Sequence, residues 1–138
     1  MKTFTSLFAV VVLGAALAAG AASSTTHAKI TIRHQTSHCH AWALGHGTYG
    51  AHLNAAIAVG GAITFTNDDV MSHHLIQQSG PKAVVSGSPT MSHVGATTTV
   101  KFPRAGTYAF TTKAGEDYMK GVKTTGEDNV LTLKVVVR

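Results

Sequence analysis

Imidazole, thiol and thioether groups are the chemically notable side chains of this sequence. Nine histidines, four methionines and one cysteine stand beside only six acidic residues. They fall in clusters. His38, Cys39 and His40 are consecutive, with His34 and His46 close by. Met71 precedes His73 and His74, Met91 and His93 are two apart, and Glu116 and Asp117 precede Met119. Thiolate, thioether and imidazole are soft or borderline donors, a set that selects copper over hard cations. Histidines on both sides of Cys39 would stabilise its thiolate if they stood near it. With no second cysteine in the chain, an intrachain disulfide is excluded. Cys39 is therefore a metal ligand, a reactive thiol, an intermolecular bridge or a small buried apolar residue. His27, His34, His46 and His52 read as solvated surface or loop residues, and His74 as exposed or hydrogen-bonded.

Such groups act together only if the chain gathers them. Residues 28–33 (AKITIR) alternate as a first strand, and residues 34–50 read as a long loop or a short strand interrupted by loop. Residues 52–59 form a weaker second strand, Gly60-Gly61 a tight turn, and residues 62–66 a third strand rich in β-branched and aromatic residues. Asn67-Asp68-Asp69 are turn formers that end it, and residues 75–78 are the fourth strand. Residues 79–96 form a Gly/Ser/Pro-rich connection with a short strand near 83–86. Residues 97–102 and 107–112 are strands around a turn at Pro103 to Gly106, with Tyr108 and Phe110 on one face. Residues 113–129 are a second long loop, and residues 130–137 close the sheet. Seven or eight short strands without helical periodicity predict an all-β, antiparallel-rich sandwich. In such a sandwich, loops after alternate strands emerge at one end. That count puts the groups around residues 34–46, 71–74, 91–93 and 116–119 together, and leaves the Gly60-Gly61 and Pro103 to Gly106 turns at the other end.

Composition narrows the function. Lys2 followed by an apolar run over residues 7–19 and by Ala19-Gly20-Ala21 reads as a cleaved export signal over residues 1–22. The expected product is one domain over residues 23–138, secreted or periplasmic, with no membrane attachment after cleavage. Its charge of about +4 is spread along the chain, which argues for solubility and against nucleic acid as a partner. The chain contains no G-x-S-x-G element and no Gly-rich phosphate loop, and it is read as a non-enzyme. The two Gly-Glu-Asp triplets, at 115–117 and 126–128, read as turns.

Asn67 through His73 (NDDVMSH), Val100-Lys101-Phe102-Pro103 with Gly106-Thr107-Tyr108-Ala109-Phe110, and Met119-Lys120-Gly121 occur in an order and spacing that resembles the cupredoxins, the small β-sandwich blue copper proteins. The resemblance covers residues 28–138 and is weakest over 34–50. It implies a cupredoxin-like Greek-key fold, His73 as the first histidine ligand and Met119 as the axial methionine. It also implies a ligand cysteine near the end of the 107–112 strand, where Thr112 stands, and a second histidine where Glu116 stands. An ordinary blue copper centre takes its colour from the Cu–thiolate bond, so a rearranged site is expected. The expected donors are His73, Cys39, His38 or His40, and Met119 or Met91 as a weak ligand, with Glu116 entering for Cu(II) or a harder ion. Met91 and His93 are the other candidates. The expected function is copper carriage, sequestration or electron transfer by a monomer, with a protein redox partner. The alternatives are a metal-free cupredoxin-like interaction module and a redox-sensing or cross-linking thiol at Cys39.

Overall fold

A computed structural model describes residues 25–35, 40–114 and 130–138. Nine strands and no helix occur among them: β1 (Thr25–His34), β2 (His40–Leu44), β3 (His52–Asp68), β4 (His73–Ser79), β5 (Val84–Ser86), β6 (Thr90–Met91), β7 (Thr97–Lys101), β8 (Gly106–Ala114) and β9 (Leu131–Val137). The architecture is the expected all-β sandwich, with the strands in two layers. One layer runs β2-β1-β3-β7-β5 and the other β3-β9-β8-β4-β6. Pairing is mixed. β3 lies parallel to both β1 and β9, while the remaining pairs are antiparallel.

β3 belongs to both layers. Its residues 52–57 pair with β9 and its residues 62–66 with β7. The expected second strand, turn and third strand are thus one 17-residue element that changes sheet at Gly60-Gly61. Glycine is needed there for two reasons. Gly60 has φ +80°, and a Cβ on Gly61 would stand 2.8 Å from Ala58 O, Ile57 Cγ1 and Thr26 O. The Gly60 N–H donates to Phe102 O and the Phe102 N–H to Gly61 O, at 2.7 and 2.9 Å, which ties the crossing to the end of β7.

Binary alternation explains the core. Tyr108 and Phe110 of β8, Leu131, Leu133, Val135 and Val137 of β9, and Ile30 and Ile32 of β1 are buried at every second position. Phe65 lies 6.3 Å from Phe110 and 6.5 Å from Trp42, ring centre to ring centre, so aromatic contacts tie the two layers together. Trp42 is fully buried on β2, the short strand that one of the two readings of residues 34–50 allowed. β2 matters for the site. It runs antiparallel to β1 with His34 opposite His40, so both residues stand at the strand ends near the end of β3.

Candidate metal centre

The site is assembled at the strand ends by a polar continuation of an apolar row. Ile63 and Phe65 face inward on β3, and Asn67 and Asp69 continue the two-residue period beyond them. Asn67 is fully buried. Its Nδ2 donates to Met71 O at 2.8 Å and to Met91 O at 3.0 Å, and its Oδ1 accepts from the Asp69 N–H at 2.9 Å. One asparagine therefore pins the turn after β3 to β6. Asp69 repeats the motif, with Oδ1 accepting from the Met71 N–H at 3.0 Å. Its other oxygen is turned into the interior.

That oxygen, Asp69 Oδ2, lies 2.8 Å from His40 Nδ1 and 3.2 Å from His73 Nε2. The two imidazoles are edge-on to each other, with centroids 4.8 Å apart. His34 joins from the rim, its ring centre 5.8 Å from that of His40. One donor atom each from His34, His40 and Asp69 lies within 4.8 Å of the others. His40, Asp69 and His73 are buried, whereas His34 is exposed. Burial alone pushes the Asp69 carboxyl up. The Met71 N–H and the bonds to His40 and His73 outweigh it, so the net shift is downward and the group is held as carboxylate. An ionised Asp69 can only accept, so each ring nitrogen that touches it carries its proton and donates a hydrogen bond. In the neutral rings this leaves His40 Nε2 and His73 Nδ1 as the lone-pair nitrogens, each oriented by its carboxylate contact.

The cluster is chemically fit to hold a metal ion. Two or three imidazoles and one carboxylate, largely shielded from water, form a nitrogen/oxygen donor set suited to a first-row transition ion. Asp69 would serve either as a ligand or as the anchor that orients the two rings.

Of the expected donors, the structure brings His73 and His40 together. Met91 is fully buried on β6, where it is the register partner of His73. His93 is exposed and contacts the Ser92 hydroxyl at 3.1 Å, away from the cluster. His74 faces the other way and contacts Thr90 Oγ1 at 2.7 Å, as an extended chain requires. Thr112 is buried on β8 opposite Leu75. Cys39, His38, Glu116 and Met119 lie outside the described residues. Asp69 was missed by the sequence reading, which took it only as a turn former. His34 is exposed as expected, yet it stands beside the cluster. The inward row 63, 65, 67, 69 was the available signal for Asp69. His46 is not in the cluster and lines a cleft on the outer face of β1 instead.

No family model matches the chain, and no curated protein matches it. Among solved structures, it is similar to a purple cupredoxin from Nitrosopumilus maritimus (22% identity, 78% of this chain and 98% of that one, TM-score 0.42). It is also similar to a Cu(I) amicyanin variant (18%, 80% and 82%, TM-score 0.39). A cysteine protease inhibitor from Entamoeba histolytica is matched as well (13%, 81% and 97%, TM-score 0.43). The copper and the protease in those names belong to those proteins.

Proposed function

We propose that this protein is an exported, divergent cupredoxin-like domain that binds copper at the strand-end cluster and serves in copper carriage, sequestration or electron transfer. The observation that carries the reading is the convergence of His40 and His73 on the buried carboxylate of Asp69, with His34 at the rim. Copper is favoured because Cu(II) binds nitrogen/oxygen sites most tightly among the divalent first-row ions. His40, His73 and Asp69 would hold the ion, and the ion would supply one-electron chemistry. Cys39, adjacent to His40 in sequence, and Met119 and Glu116, beyond the end of β8, are proposed as additional donors. A thiolate or thioether from that group would shift the site toward Cu(I). The leader over residues 1–22 supports a secreted or periplasmic location, and the absence of catalytic motifs supports a non-enzymatic role.

The test is titration of the purified protein with Cu(I), Cu(II) and Zn(II), alongside H73A, D69N and C39S. Stoichiometric copper lost in H73A and kept in C39S assigns a nitrogen/oxygen site. Loss in C39S as well, with an intense visible charge-transfer band in the wild type, assigns a rebuilt thiolate site. Absence of tight copper binding in the wild type overturns the reading and leaves the metal-free interaction module.

A further inference from the structure

The outer face of the first layer carries a second feature, on the other side of β1 and β3 from the metal cluster. While Ile30 and Ile32 face the core, Lys29, Thr31 and Arg33 face out along β1. Their register partners on β3 are Thr64, Thr66 and Asp68. A cleft of about 500 Å³ opens over this row, closed on one side by the turn after β2 with His46 and Tyr49, and on the other by Val94 and Gly95. We propose that the cleft binds a small organic anion, a carboxylate or phosphate monoester of sugar size.

Charge and donor chemistry carry the proposal. Two cations line the cleft against one acid, and that acid is already engaged. Asp68 Oδ2 accepts from Arg33 Nε at 3.1 Å and from Arg33 Nη2 at 2.8 Å. The guanidinium lies 5.0 Å from the centre of the Tyr49 ring. Held on two sides, Arg33 keeps further N–H donors for an incoming oxyanion at little cost in ordering. Lys29 has no acidic partner among the described residues. The Thr31 and Thr66 hydroxyls add neutral donors between the two cations. A carboxylate or phosphate is the ligand that such a set recognises.

The walls are built rather than incidental. The Gly45 N–H donates to Lys29 O at 2.8 Å, with Gly45 at φ +57°, and this folds the turn after β2 onto β1. Opposite it, the Gly95 N–H donates to Asn67 O at 2.7 Å and the Asn67 N–H to Ala96 O at 2.9 Å. Both rims are thus hydrogen-bonded to the strands beneath, and a ligand meets a preformed cleft.

Calorimetric titration at low ionic strength with glucose 6-phosphate, gluconate and glucose tests the proposal on the full chain. K29Q removes an exposed charge, so matching melting curves confirm that its fold is kept. K134Q, an exposed lysine on β9, is the charge control. The expected result is saturable binding of at least one of the two anions and none of glucose. K29Q should weaken binding about tenfold and K134Q less than about twofold, as a local Coulomb interaction requires. Binding of the sugar phosphate alone, or of gluconate alone, supports the proposal and selects the phosphate or carboxylate class. Equal binding of glucose, no binding of either anion, no effect of K29Q, or an equal effect of K134Q overturns it.

Discussion

Asp68 and Asp69 are adjacent in sequence and opposite in circumstance. Asp68 points outward from the end of β3 and pairs with Arg33, their side chains 42% and 51% exposed. Asp69 points inward, is 1% exposed, and accepts from a backbone amide and two imidazoles. A half-turn of the strand separates an ion pair in water from a carboxylate whose charge must be compensated by protein groups alone. Water screens the first and lets its partners go cheaply. The second has no such refuge, so loss of Asp69 leaves buried polar groups exposed to their full desolvation cost.

The sharpest break is D69A against D68A. D69A is expected to cost about 3 kcal/mol or more in urea denaturation, while D68A costs less than about 1 kcal/mol. Equal costs would mean that the inner carboxylate is not holding the strand end together. Next comes the pair His73 and His74, which alternate across the same strand. H73A should lower Cu(II) affinity at least about a hundredfold and H74A less than about threefold, read by competition with a chelator of known affinity. D69N then separates ligation from orientation. A loss of about 10–100-fold marks an orienting carboxylate, and a larger loss a ligand.

Acidification gives a smaller effect with a definite sign. The folded protein holds the Asp69 carboxyl below its ordinary value of 3.8, so the unfolded chain takes up that proton first as pH falls. Its contribution to stability is full above that ordinary value and fades as pH drops through the lower folded value. Metal-free wild type should therefore lose more stability than D69N in that window, measured by urea midpoints at successive pH values. If D69N and wild type lose stability in parallel, the buried carboxylate does not carry the shift.

Local pattern carried much of the fold. The alternation in residues 107–110 and 131–137 is the direct image of one buried and one less buried sheet face, and the structure places those residues accordingly. The gathering of His40 and His73 at one end also followed from counting strands. The count survived an error because two departures offset each other. β2 lies inside residues 34–50, which the strand count took as loop, and the two strands around Gly60-Gly61 are one element shared by both layers. Strand boundaries are blurred where glycine keeps the pairing continuous through a change of direction that few other residues tolerate.

Residue types alone determined that this is a β protein with an excess of soft and borderline donors, because side-chain period and ligand chemistry are local properties. Which donors meet was decided only by the tertiary structure. Asp69 bonds a histidine 29 positions earlier and another four positions later, and both depend on the register of β1 with β2 and of β4 with β8. A turn-forming aspartate and a buried, charge-bearing one are the same letter in the same tripeptide. Only the packing around Asn67, which pins the turn to β6, sends one carboxylate into solvent and the next into the core.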